Sequence, residues 1–235
     1  MSYGKAQPYT MPKDDDWYVL TEKKTRVYYP ESDGQPMAET DVHRDLMIEL
    51  ISSLDRHFAA EKDVYVSGNL FLYYLQGEPS ACLAPDVLFV RGIAKKRRRT
   101  YKLWQEKRAP NVVFEISSHK TTKEDFSKKK QVYALLGVAE YYIFDPEYEQ
   151  QPPLRAYRLR GRQYREVSIK NHRIKSEELN LELVDTGVTL RLFDQQTGKY
   201  LPTREEESAL RKEAEVRAKQ AETFAKQAET LAKQA

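Results

Sequence analysis

A single cysteine, Cys82, stands among 235 residues. That scarcity excludes an intramolecular disulfide framework and any zinc site built from several cysteines. Long apolar runs are also missing: none approaches the roughly eighteen residues of a membrane span, and the opening MSYGKAQPYTMPKDDDWYVL lacks the apolar centre of a signal peptide. The expectation is a cytoplasmic chain with no membrane partner. Neither sign of charge dominates, since 39 Lys and Arg against 36 Asp and Glu leave a formal net charge of +3. That balance is compatible with a nucleic-acid partner and too small to demonstrate one.

What is present suffices for a core, with 40% hydrophobic and 11% aromatic residues. Residues 1–38 are rich in Pro, Asp and Tyr and read as an N-terminal arm. From Thr40 the pattern changes. Val42, Leu46, Leu50, Leu54 and Phe58 recur every four residues, which predicts an amphipathic helix over 41–59 behind a Thr40 N-cap. Short strand-like runs follow: VYVSG, LFLYYL, PDVLFV, NVVFEI, EYYIFD, LRAYRL and QYREVSI. A second helical pattern, about 123–136, is ended by Gly137. The expected fold class is α/β (α+β), a mixed sheet carrying helices on its faces, over residues 39–202.

Residues 203–235 are a different object. The heptad in AEVRAKQAETFAKQAETLAKQ places Leu210, Phe224 and Leu231 in one seam row and Ala214, Ala221, Ala228 and Ala235 in another, with Arg217 interrupting the first. Glu215–Lys219, Glu222–Lys226 and Glu229–Lys233 are acid-before-base pairs that support an exposed helix by a few tenths of a kcal/mol each. The pattern predicts a long helix, solvated alone or paired as a coiled coil that makes a homodimer. Seven acids balance seven bases there, so the positive excess lies in the preceding residues.

Two strand-like segments carry an acid among apolar residues, Asp86 in PDVLFV and Glu115 in VVFEI. An unpaired buried carboxylate costs several kcal/mol, so each needs a partner, a raised pKa or a cation. Two acids converging at neighbouring strand ends would suit magnesium, which takes one or two carboxylates and keeps water in its other positions. Asp125, Lys129 and Tyr133 then recur at four-residue spacing on one side of a helix. Acid, acid and lysine form the minimal kit for hydrolysing a phosphodiester. The structural alternatives are a turn cap for Asp86, an ion pair for Glu115 and a solvated face for Lys128, Lys129 and Lys130.

Between the two acid-bearing strands lies KKRRRTYKLW. Lys95, Lys96, Arg97, Arg98 and Arg99 precede Tyr101 and Trp104, a pattern that suits phosphate contacts and base stacking, or equally a solvated loop with Trp104 in the core.

Taken together, PDVLFV, VVFEISS, the Asp125, Lys129, Tyr133 series and GVAEYYIFDP resemble the Uma-two family, classed as restriction-endonuclease-like within the PD-(D/E)xK superfamily. The resemblance covers about residues 15–202, with His43 and DQQTGKYLPT also similar to the family pattern. It implies a restriction-endonuclease-like mixed sheet of about four core strands flanked by helices. It also implies a metal-dependent endonuclease with Asp86, Glu115 and Ile116 in the set that binds Mg2+ or Mn2+, but supplies no substrate; DNA is the expectation from the Lys95–Arg99 segment. The usual lysine lies two residues after the second acid, where this chain has Ser117. Lys129 is the candidate replacement, with Lys128 and Lys130 as alternatives, and Glu49 is the candidate acid of the first helix. A catalytically inactive interaction module on the same fold is the competing expectation.

Overall fold

A computed structural model describes residues 27–32, 40–117 and 125–234, without the side chains of 125, 126, 225 and 228–234. Most of the expected N-terminal arm, the side chain of Asp125, and Ala228, Leu231 and Ala235 of the heptad rows therefore lie outside the described residues.

Helix α1 (Asp41–His57) begins where the sequence predicts, with Thr40 Oγ1 accepting from the His43 backbone N–H at 3.3 Å. Leu46, Met47, Leu50 and Leu54 form its buried stripe, while Val42 at the first turn faces solvent. The strands are β1 (Val64–Ser67), β2 (Leu72–Tyr73), β3 (Cys82–Leu83), β4 (Val87–Arg91), β5 (Tyr101–Lys102), β6 (Val112–Ile116), β7 (Glu140–Phe144), β8 (Leu154–Arg160) and β9 (Gln163–Val167). A one-turn helix α2 (Leu103–Glu106) follows β5, and a π-helical turn (Asp125–Lys129) leads into α3 (Lys130–Leu136) between β6 and β7. The left-handed Gly137 (φ 84°) stops α3, as the sequence predicts. The run LFLYYL yields only a two-residue strand.

Six strands form the central sheet in the order β1-β4-β6-β7-β8-β9. Only β6 and β7 run parallel, and the return between them carries α3 across one face. Because side chains alternate across a sheet, β4, β6 and β7 supply two cores at once. Val87, Phe89, Val112, Phe114, Tyr142 and Phe144 pack with α1. Leu88, Val90, Val113, Tyr141 and Ile143 pack on the opposite face with Tyr133 of α3 and with Leu72, Leu83 and Tyr101 of the small β3-β2-β5 sheet.

A further sheet, absent from the sequence reading, joins the α1 side: β10 (Arg173–Lys175), β11 (Glu182–Asp185), β12 (Leu190–Asp194) and β13 (Lys199–Tyr200). Its inward Leu183, Leu190 and Leu192 complete the core beneath α1. The mixed α/β class is the one expected.

Helix α4 (Arg204–Gln234) starts with a reciprocal cap. Thr203 Oγ1 accepts from the Glu206 N–H at 3.1 Å, and Glu206 returns a carboxylate oxygen to the Thr203 N–H at 2.7 Å. Glu222–Lys226 pairs at 2.7 Å along the helix. Leu210, Val216 and Phe224 are exposed along it. Among the described residues no helix is long and apolar enough to cross a membrane.

Candidate active site

The antiparallel register of β4 and β6 pairs Val87 with Phe114. One step further along the same register sets Asp86 opposite Glu115, and alternation puts both on the face that carries α3. The placement of Asp86 is held tightly. Its Oδ2 accepts from the Ile116 N–H at 2.7 Å, and its Oδ1 lies 3.3 Å from His43 Nε2. Gly68 lets its own chain pass close to the Asp86 backbone, since a Cβ there would lie 1.9 Å from the Asp86 carbonyl oxygen.

Glu115 is 1% exposed. Its Oε1 accepts from the Tyr133 hydroxyl at 2.7 Å and its Oε2 from Lys129 Nζ at 2.8 Å. The π-helical turn delivers Lys129 to the carboxylate, and one turn of α3 later Tyr133 arrives on the same side. Burial first, and then the Glu115 and Tyr141 neighbours, hold the Tyr133 phenol well above its ordinary value. Tyr133 is therefore a donor to Glu115 throughout the neutral range.

The three consecutive lysines part company. Lys128 is exposed, Lys129 meets Glu115, and Lys130 sets its Nζ 3.6 Å from the centre of the Tyr157 ring. Ser117, at the usual lysine position, is buried, and its Oγ accepts from Gln150 Nε2 at 3.2 Å. Glu49 points elsewhere: its carboxylate accepts from Ser53 Oγ at 2.8 Å and from the Arg204 N–H at 3.2 Å, tying α1 to the start of α4. The first helix reaches Asp86 through His43 instead, because a helix repeats every 3.6 residues and the two side chains leave it in different directions.

The run Lys95–Arg99 is largely paired within the chain. Lys95 meets Asp55 at 2.8 Å, Lys96 lies 3.7 Å from Glu106, and Arg99 meets Glu31. Arg98 is a correction to the expected nucleic-acid set. Its side chain is only 3% exposed, it pairs with Glu106 at 2.8 Å, and its guanidinium stacks 4.2 Å from the Tyr65 ring centre. The Arg98 hydrogen bonds hold the Glu106 carboxyl below its usual range. Only Arg97 enters no ion pair among the described residues. Trp104 packs its ring 5.1 Å from Tyr29.

Asp86 and Glu115 offer hard oxygen donors on one sheet face, a donor set that suits Mg2+ or Mn2+. Among the described residues no third His, Cys, Asp or Glu completes a metal-binding cluster with them. Magnesium needs no third, since it retains several waters.

Residues 14–204 match the family described as "Uma2: Putative restriction endonuclease". The chain belongs to the Uma2 family. No curated protein matches it. Among solved structures it is similar to "a putative nuclease belonging to DUF820 from Anabaena variabilis ATCC 29413", at 14% identity and a TM-score of 0.46, over 62% of this chain and 76% of that one. In this Uma2 chain the segments that carry Asp86, Glu115, Lys129 and Tyr133 all lie within the matched residues.

Sequence reasoning missed the arginines of β8 and β9. The registers Glu115–Ile143 and Ile143–Arg155 place Arg155 in the same row of the sheet as Glu115, on the same face. The arginine-dense LRAYRLRGRQYR was the available signal.

Proposed function

We propose that this Uma2 chain is a metal-dependent DNA endonuclease whose site is Asp86, Glu115 and Lys129. One observation carries the reading: two carboxylates share a sheet face at adjacent strand positions, with a lysine ammonium 2.8 Å from one of them. Asp86 and Glu115, with the backbone at Ile116, would hold Mg2+ or Mn2+. Bound there, such a cation supplies a water that ionises near neutral pH and a Lewis acid for the phosphoryl oxygen.

The chain's own residues set the stage for that chemistry. Lys129 and Tyr133 fix Glu115 in rotation, each at one of its oxygens. His43 and the Ile116 N–H hold Asp86 in place in the same way. The Lys129 ammonium also places positive charge beside the position where a phosphate would gather charge in the transition state, and being pre-positioned it needs no reorganisation. A lysine arriving from the helix thus replaces one arriving from the strand at Ser117.

Calorimetric titration of Mg2+ and Mn2+ into metal-free protein, followed by cleavage of supercoiled plasmid, tests the proposal. Saturable binding with metal-dependent nicking is expected. Absence of binding for both ions would overturn it in favour of a nuclease fold retained for interaction, a reading that Ser117 at the usual lysine position favours.

A further inference from the structure

The β8–β9 hairpin, residues 154–167, carries five arginines and one acid. Arg155 pairs with Glu166 at 3.6 Å, and Arg158 with Glu177 at 2.8 Å and Glu140 at 3.4 Å. Arg160, Arg162 and Arg165 enter no ion pair among the described residues. Strand β9 is the sheet edge, and charges on an edge protect it from pairing with other chains. That role requires no particular sign, whereas here the unpaired charges are all positive.

Beside the hairpin runs a groove of about 420 Å³ between α3 and β9. Ser127, Lys130, Gln131, Arg162, Gln163 and Tyr164 line it. Lys130, the residue after Lys129, brings the groove its cation from α3. Arg162 closes it at the hairpin turn. Lys130 enters no ion pair among the described residues, and Glu166 and Arg155 are the charged groups that act on it.

We infer that the groove between α3 and the β8–β9 hairpin holds the phosphate backbone of the nucleic acid, with Lys130 and Arg162 as its principal contacts. The inference rests on the nuclease reading for its ligand class. It places the grip on the opposite side of the central sheet's strand order from the Lys95–Arg99 segment, whose cations, Arg97 apart, are held by Asp55, Glu106 and Glu31.

The test is the salt dependence of binding of the full-length protein to one labelled DNA duplex, in metal-free buffer with chelator so that cleavage does not enter. The double variant Lys130→Gln/Arg162→Gln is expected to lower the slope of log affinity against log salt by about 1.8, or about 0.9 per lost contact. The control Lys96→Gln/Arg97→Gln is expected to leave it unchanged. Lys130→Arg, which keeps the charge against Tyr157, should retain the wild-type slope and so separates lost contact from local repacking. An unchanged slope in the groove variant, or a fall in the control alone, overturns the inference. So does a groove variant that loses binding to anionic phosphatidylserine vesicles and keeps its DNA slope. Because no metal is present, a failure of metal binding in the calorimetric experiment leaves this outcome readable on its own.

Discussion

Glu115 and Glu140 lie on neighbouring parallel strands, and both are nearly inaccessible to solvent. Their surroundings differ. Glu140 begins β7 and faces the α1 side, where Ser176 Oγ donates to it, the Glu177 N–H donates at 2.8 Å and Arg158 approaches at 3.4 Å. Those contacts stitch the β10 segment to the central sheet. The nearby second acid, Glu177, is well exposed and is itself paired with Arg158. Glu115 sits near the end of β6 on the other face, held by two side chains of the α3 segment and flanked by the partly buried Asp86 on the next strand. A carboxylate inside an apolar strand is thus a structural tie or a candidate catalytic group according to whether a second acid shares its face.

The comparison breaks most visibly in activity. Glu115→Gln should lower divalent-cation affinity by more than about 100-fold, beyond the scale of losing an outer-shell partner, and remove cleavage, while near-ultraviolet circular dichroism stays native. Unchanged affinity would take Glu115 out of the site. Glu140→Ala should do the reverse. Leaving Arg158 and Ser176 without their shared acceptor costs about 3–5 kcal/mol in urea unfolding, with metal affinity of the folded fraction unaltered. Equal effects of the two substitutions on metal binding would erase the distinction.

Finer resolution comes from the two donors to Glu115. Lys129→Met should cut the cleavage rate by about 10²–10³, as expected for one pre-positioned electrostatic group, with cation binding retained. Retained activity there, with loss in Lys128→Met, would transfer the role to Lys128. Tyr133→Phe should cost about 1–3 kcal/mol by leaving a buried acceptor short of a donor. It should also soften the alkaline limb of stability. The folded-state pKa of Tyr133 is raised, so above pH 10 the unfolded chain releases a proton that the folded one keeps. Stability is then complete below about pH 10 and falls as pH rises beyond it. Urea midpoints from pH 8 to 11 that stay level in the wild type would contradict that burial.

How much of this was legible follows from the range of each interaction. Helix α1 and its Thr40 cap are local, and the four-residue repeat announces them. The spacing of Asp125, Lys129 and Tyr133 likewise anticipated that Lys129 and Tyr133 share a side, and the structure adds that Glu115 lies beneath it. The pairing of Arg98 with Glu106 and of Lys95 with Asp55 was not legible, because a run of bases looks the same whether its counter-charges are water or acids brought in by folding. Glu49 and His43 lie on the same helix, and only its roll against the sheet decides which one meets Asp86. Strands β10–β13 are short and rich in charge, so their periodicity is faint, and they are ordered by packing Leu183, Leu190 and Leu192 under α1.

The reciprocal cap between Thr203 and Glu206 fixes where α4 departs from the folded body. Thirty-one residues at 1.5 Å each make it a rod about 46 Å long. A stiff rod behaves unlike a flexible tether: it sets a reach rather than a volume, so whatever engages its far end is kept at one distance from the carboxylates and is excluded from shorter ones. Two such rods joined side by side would space two sites along a polymer like the legs of a divider. Their combined grip would then depend on where the second contact falls along the polymer, and it vanishes wherever that spacing is not met.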